Sequence, residues 1–257
     1  MYIDIKELSH KYSTEDEDLL VLSNLSFSVG KEQFVSIVGP SGCGKSTLTK
    51  LIAGLSVPTK GKILISGSPV DSPRRSIGMA FQNPVLLEWR TALDNICLPL
   101  EIVSPQMTRI QKIARATELL EMVGLKDFSQ SRPSQLSGGM KQRVSLCRSL
   151  VHRPEILILD EPFGALDAFT REGLWKTLKN LKTSENFTCI LITHDLREAI
   201  YLSDEVVILT DRPGKVKKSV KINFKRDSNS IDKLYSKEAT KMLAFLRKQI
   251  ELSHTRL

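Results

Sequence analysis

Gly39, Pro40, Ser41, Gly42, Cys43, Gly44, Lys45 and Ser46 set three glycines, two hydroxyls and a lysine in a row of eight residues. Glycines at that spacing let successive backbone N–H groups turn inward and approach phosphate oxygens closely. A helix opening at Thr47 would add its positive end, Lys45 would reach the β- and γ-phosphates, and Ser46 would ligate Mg2+. The context fits, because apolar FVSIV precedes the loop and an apolar-periodic stretch follows it. The loop from Gly39 to Thr47 is therefore a candidate cradle for a nucleoside triphosphate. Cys43 lies among its amides, so bound nucleotide is expected to shield that thiol from alkylation.

The run ILIL followed by Asp160 and Glu161 supplies the acidic half of such a site. A strand would deliver Asp160 at its carboxyl end, near the metal, directly or through water. Glu161 falls off the strand axis and is suited to orient or deprotonate an attacking water. Asn/Thr-Lys-x-Asp, the element that reads guanine, does not follow the second acidic strand, and tandem carboxylates favour ATP over GTP.

The elements that must position these groups can be read from periodicity. Residues 2–9 alternate as a strand and lead to an acidic turn at 15–18; residues 20–29 and 33–38 read as further strands. The helix 47–53 is closed by Gly54, and short strands are expected at 62–66 and 76–81. Between about 90 and 150 the pattern turns helical, with helices at 107–123 and 138–150. Strand and helix then alternate through 156–159, 171–181, 188–193, 196–202 and 206–209. Continuous aliphatic strands separated by helices indicate a buried, largely parallel sheet. The helical block then reads as an insert.

LSGGMKQR, which starts at Leu136, lies between the two halves of the phosphate chemistry, and with it the chain resembles the ABC ATPases. Tyr12 in HKYS matches that family's adenine-stacking aromatic, and Gln82 in FQNP its glutamine linking metal to membrane partner. Asp167 in ALD matches the loop that crosses the dimer interface, and His194 in ILITHD the switch histidine at the γ-phosphate. Ser137, Gly138 and Gly139 open a helix whose N–H groups form an anion site facing the γ-phosphate held by a second subunit. The resemblance spans residues 1 to about 215. It implies a P-loop NTPase of the α/β class with a mainly parallel central sheet, an N-terminal antiparallel β region and an inserted helical subdomain. It further implies one ABC ATPase domain over 1–257, helical at about 90–150 and with a basic tail at about 211–257. Catalysis would rest on Glu161, His194 and Gln82, with ATP as substrate and Mg2+ on Ser46, Gln82 and Asp160.

EPFGALD resembles importer subunits. FQNPVLLEW followed by DNI, and the phrase LTDRPGKV, are similar to the nitrate, sulfonate and taurine import ATPases. Glu88 stands where that group commonly has proline, and Cys147 where it has a small residue. The expected partners are a second ATPase subunit, identical or paired, separate membrane permease subunits and, indirectly, a periplasmic or lipid-anchored solute-binding protein. The expected place is the cytoplasmic face of the inner membrane. Trp89 beside Arg90 is either packed in the domain's own core or an anchor, with 86–89, for a permease helix.

Composition sets outer limits. A chain of 257 residues, 41% hydrophobic and 26% charged, suits one large α/β domain or one with an embedded subdomain. Its start, MYIDIKELSH, carries acids and is not expected to be a leader, and aliphatic runs fall far short of the ~20 residues that span a bilayer. Cys43, Cys97, Cys147 and Cys189 form no CxxC pair and read as free thiols in a reducing compartment. The net charge of +8 resides in residues 211–257, which hold 13 basic and 5 acidic side chains. Such a tail could touch nucleic acid or an anionic membrane surface, but the basic residues of KVKKSVKINFKR alternate with apolar ones, as on a solvated strand face. Nucleic-acid ABC ATPases commonly carry a coiled coil or zinc element in the insert, or two ATPase units in one chain. Neither occurs here, so no nucleic-acid partner is expected.

Overall fold

Local sequence preferences set the element boundaries, and the computed structural model describes them for residues 1–13, 18–223 and 231–254. The chain begins with β1 (Ile3–Ser13), β2 (Asp18–Val29), β3 (Phe34–Val38), α1 (Lys45–Ile52), β4 (Lys60–Ile65) and β5 (Ser68–Pro69). It continues through β6 (Ile77–Ala80), α2 (Ala92–Val103), α3 (Arg109–Met122), α4 (Gly138–Leu150), β7 (Ile156–Asp160) and α5 (Ala168–Glu185). It ends with β8 (Thr188–Ile192), α6 (Leu196–Leu202), β9 (Glu205–Leu209), β10 (Val216–Lys221) and α7 (Lys237–His254). Two compact units form: Met1–Arg74 with Thr188–Leu257, and Arg75–Phe187.

The first unit holds two sheets. β2, β1, β4 and β5 pair antiparallel in that order, as the N-terminal alternation demands. Ile3, Ile5 and Leu8 turn inward and are at most 2% exposed. The second sheet sets β3 parallel to both β8 and β9, with β10 antiparallel on β9. Every residue of β3 and β8 is buried, which is why both are mostly apolar, with Ser36 and Thr188 the exceptions. Gly54, at φ +74, closes α1 where the sequence places a stop.

In the second unit β6 runs parallel to β7, and all five residues of β7 are buried. Side chains set the helix starts. Thr91 caps α2, Thr108 and Gln111 form a capping box on α3, Ser137 caps α4 and Asp167 caps α5. Arg115 of α3, itself 8% exposed, pairs with Glu118 and with Glu185 of α5. Helices α2 to α4 occupy the stretch where the sequence turns helical.

Two features depart from the sequence reading. The basic tail contains α7, an 18-residue helix that the charge pattern did not disclose. Of the acidic turn, residues 15–17 lie outside the described residues and Asp18 begins β2; residues 224–226 of the basic phrase also lie outside. Among the described residues, no helix is long and apolar enough to cross a membrane.

Gly78 of β6 shows how tightly the second unit is packed. A Cβ there would sit 2.1 Å from the Ser149 carbonyl oxygen and 2.9 Å from the Pro154 ring. Backbone cannot yield as a side-chain tip can, so Gly78→Ala is expected to cost about 1–3 kcal/mol or more. Chemical denaturation against wild type measures this, and an unchanged midpoint would contradict the packing.

Candidate active site

In the first unit the phosphate loop starts where β3 ends. Gly42 and Gly44 take φ +75 and +103, the left-handed region that glycine enters without strain. A Cβ on Gly42 would meet nothing within 4 Å, so the loop is open on that side. A Cβ on Gly44 would lie 2.6 Å from Leu22 and 2.9 Å from Val21, so here glycine permits close packing on β2. Lys45 is 8% exposed, and its Nζ donates to the carbonyls of Gly39 at 2.9 Å and Pro40 at 2.7 Å. Those two bonds hold a buried cation at the centre of the loop. Ser46 is exposed and Thr47 buried, on the first turn of α1. The Tyr12 hydroxyl lies 3.2 Å from Thr47 Oγ1, and its ring stands edge-on to His10 with centroids 4.9 Å apart. Tyr12 thus borders the loop's helix with 39% of its surface open.

Cys43 corrects the labelling expectation. Its thiol is 1% exposed and packs toward Gly39, not toward the open side, and burial raises its pKa above the ordinary value. A thiol that is both hidden and protonated is a poor nucleophile with or without nucleotide. What Cys43 offers a phosphate is its backbone. Burial likewise holds the Cys147 thiol at about 12, where its hydrogen donates to the Leu119 carbonyl at 3.5 Å. The unusual residue after the signature is a core group.

Beneath the loop lies a residue the sequence reading missed. Gly214 donates to the Val21 carbonyl at 2.8 Å and accepts from Ser23 N–H at 3.0 Å, joining the segment before β10 to β2. A Cβ on Gly214 would lie 2.3 Å from the Cys43 carbonyl oxygen. The phrase LTDRPGKV was noticed as a resemblance, but nothing in it says what it supports. His194 stands exposed between β8 and α6 in this unit.

In the second unit Asp160 closes β7 at 6% exposure. Glu161 follows with φ +47, a left-handed backbone at a residue with a full side chain. Such strain persists where surroundings impose it and is concentrated at functional sites. Gln82 Nε2 donates to Glu161 Oε2 at 3.1 Å, so two sequence-selected residues far apart in the chain meet. Gln142, inside LSGGMKQR, extends the knot. Its amide donates to the Gln82 carbonyl at 3.4 Å, and its oxygen accepts from Ala165 N–H at 3.1 Å. One buried side chain therefore ties the FQNP segment, the signature helix and the ALD loop. The motif singled out Gln142's neighbourhood but not its role.

Ser137, Gly138 and Gly139 begin α4 near the surface, the Ser137 hydroxyl accepting from Met140 N–H at 3.3 Å. A Cβ on Gly139 would lie 2.8 Å from Leu166, so the signature and the ALD loop pack without space to spare. Asp167 accepts from Thr170 N–H at 3.0 Å, and that bond lowers its pKa below the ordinary carboxylate value.

Trp89 is 72% exposed, which excludes the core alternative, while Leu86 is buried and cannot join it at the surface. Val85 and Ile102, each 62% exposed, are apolar and open. Asn95 of the DNI phrase explains the segment's shape. It is fully buried and bonds to Leu87 N–H and to the carbonyls of Leu87, Arg90 and Thr91 at 2.8–3.2 Å. Arg90 makes a two-pronged pair with Glu101.

The ABC transporter family profile matches residues 22–164. The aliphatic sulfonates import ATP-binding protein of Bacillus thuringiensis subsp. konkukian is 39% identical over 95% of this chain and 95% of its own length. The bicarbonate transport ATP-binding protein of Synechocystis sp. is 42% identical over 82% of this chain and 75% of its own. The nitrate import ATP-binding protein of Synechococcus elongatus is 40% identical over 88% and 85%. Among solved structures, a dimeric ATP-binding cassette in a post-hydrolysis state with ADP and phosphate is similar at TM-score 0.81 and 33% identity. It covers 87% of this chain and all of that one. A profile over more than half of the sequence, joined to relatives of this identity, settles the matter: the chain belongs to the ABC transporter family, as an ATP-binding subunit that hydrolyses ATP to drive transport.

Proposed function

We propose that this chain drives uptake of a small oxyanion, of the sulfonate, nitrate or bicarbonate kind, through separate membrane permease subunits. It would work as a pair of ATPase subunits bound peripherally at the cytoplasmic face, with a solute-binding protein delivering cargo on the far side. The relatives' names support an anion, and the dimeric cassette supports the pair. The cargo class rests on those names, and the observation that carries the coupled-motor part of the reading is the Gln82–Glu161 hydrogen bond.

In this reading the open face of Gly42 and the Lys45 ammonium receive the β- and γ-phosphates, and Tyr12 takes the adenine. Ser46, Asp160 and Gln82 would hold Mg2+, which would supply charge neutralisation at the phosphates. Glu161 orients the attacking water and accepts its proton, and His194 steadies the γ-phosphate. Ser137, Gly138, Gly139 and Asp167 serve the nucleotide held by the second subunit. The Gln82 amide occupies Glu161 Oε2, one of the two oxygens that could take the water's proton. Drawing Gln82 away through a membrane partner would open that oxygen to the water. Hydrolysis would then follow the permease's state, as a coupled motor requires.

Glu161→Gln keeps the shape and the water contact but cannot accept a proton. Turnover should fall by about 10²–10⁴ while ATP still binds, and ATP should shift the variant toward dimer on gel filtration. Wild-type turnover in this variant would remove Glu161 from the mechanism. Uptake of labelled alkanesulfonate, nitrate and bicarbonate by cells carrying either form assigns the cargo, and turnover stimulated by DNA or RNA instead would overturn the importer.

Gly214→Ala pushes on the Cys43 carbonyl from below and should tilt the loop's amides. Misplacement of this kind weakens ATP binding by about tenfold or more. Nucleotide titration reads the effect, and unchanged affinity would show that the loop does not rest on Gly214.

Exposed Trp89, with Val85 and Ile102, has the composition of an interface anchor for a permease helix. Trp89→Ala leaves Arg90 in its pair with Glu101 and should preserve the isolated subunit's ATPase. It should weaken assembly with the permease by about 2 kcal/mol, roughly thirtyfold. Co-purification of variant and permease at wild-type yield would assign the tryptophan no part in docking.

A further inference from the structure

The loop that carries His194 is built on a buried clamp. Thr193, the residue after β8, is 2% exposed, and Glu198 on α6 is 3% exposed. The Thr193 hydroxyl donates to Glu198 Oε2 and accepts from Asp195 N–H at 2.9 Å. Asp195 in turn caps α6, its Oδ1 accepting from Arg197 N–H at 2.8 Å and Glu198 N–H at 3.5 Å. A hydroxyl has one proton, and once that proton is committed to Glu198 its lone pairs must face the other way. They face the Asp195 amide. The residue between the two anchors is His194, whose own side chain is exposed. Upstream, Thr193 N–H reaches the Ile37 carbonyl at 3.4 Å on β3, the strand that feeds the phosphate loop.

We infer that Thr193 and Glu198 are positioning residues for His194. The clamp fixes the backbone on both sides of the histidine, so the imidazole meets the γ-phosphate without reordering the loop first. Preorganisation of this kind favours turnover more than nucleotide affinity, because the chain's other phosphate donors remain in place. The inference rests on the reading of His194 as the γ-phosphate contact, and the variants below separate the two.

Thr193→Val removes the hydroxyl and keeps the volume. Thr193→Ser keeps the hydroxyl and removes a buried methyl. Both should lower the melting temperature, but their kinetics should diverge. The full-length Val variant should lose about tenfold or more in kcat with nucleotide Kd changed less than about threefold, and the Ser variant should stay near wild type. The His194 imidazole resonance, assigned by its loss in His194→Ala, should shift on nucleotide binding in the wild type and Ser proteins and not in the Val protein. If the Val protein does not fold, Glu198→Met, which keeps the length and removes the acceptor, takes its place, with the same expected loss of kcat and of the imidazole shift. Activity falling in step with stability in both Thr193 variants would make the clamp merely structural and overturn the proposal. So would an unchanged kcat in the Val protein. A His194→Ala protein with full turnover would overturn the reading of His194 and this inference with it. Full activity in Thr193→Val beside a crippled His194→Ala would overturn the clamp alone.

Discussion

A strand buried on both faces has no room for an unpaired polar side chain until it ends, and that constraint governs where chemistry occurs in this protein. β3 is apolar but for Ser36 and passes directly into the phosphate loop. β7 is four aliphatic residues and then Asp160, with Glu161 already turned into left-handed backbone. β8 ends at Ile192, and the next two residues are the clamped Thr193 and exposed His194. Each strand therefore releases its polar group at its own carboxyl end, the position strand-end ligand sites occupy in open α/β sheets. Precision comes from the burial. Val35, Ile37, Leu157, Ile158, Ile190 and Leu191 are all 0% exposed, and none can slide without opening a cavity.

Rigid strands need pliable links if turnover is to report on a membrane partner. In the second unit that link is amide chemistry. Gln142 contributes neutral hydrogen bonds, each worth about 0.5–1.5 kcal/mol net, and Gln82 donates one to a carboxylate, worth about 1.5–3 kcal/mol. That carboxylate, Glu161, sits on a backbone that no ordinary residue prefers. An amide donor brings no full charge to it, so the bond exchanges at less cost than a pair with an arginine. By contrast, Arg115, Glu118 and Glu185 use charged pairs where α3 and α5 must stay together.

Much of this was legible in the sequence because motifs encode local geometry. The glycines of the phosphate loop, the acidic strand end and the start of α4 all depend on neighbours within a few residues, which a string of letters displays. Gly214 and Gln142 act over long separations, and their letters are ordinary; Asn95 acts over four to eight residues, through a buried amide whose burial its letter does not announce. Only the fold brings Gly214 under Cys43, or sets Asn95 as a fully bonded plug for the segment from 87 to 91. Cys43 was misjudged for a related reason. The motif specifies where the backbone turns, and the side chain goes wherever the turn leaves it, here into the interior.

Basic charge in the tail had three readings, a nucleic-acid surface, an anionic membrane surface or a solvated strand, and the structure adds a fourth use. Lys217 of β10 donates to the Gln249 carbonyl at 2.6 Å and to Ser253 Oγ at 3.2 Å, in the last turns of α7. A cation there adds a charged donor to a carbonyl near the helix end and complements its negative pole. Lys218 stands over the Phe245 ring at 5.1 Å, a cation–π contact on the same helix. These lysines fasten α7 to the strand, so part of the positive charge is consumed in packing the tail itself. α7 also packs on α6, the helix whose Glu198 holds Thr193. A charge count treats every lysine as a surface group, and here two of them are structural: they secure the helix that backs the His194 loop.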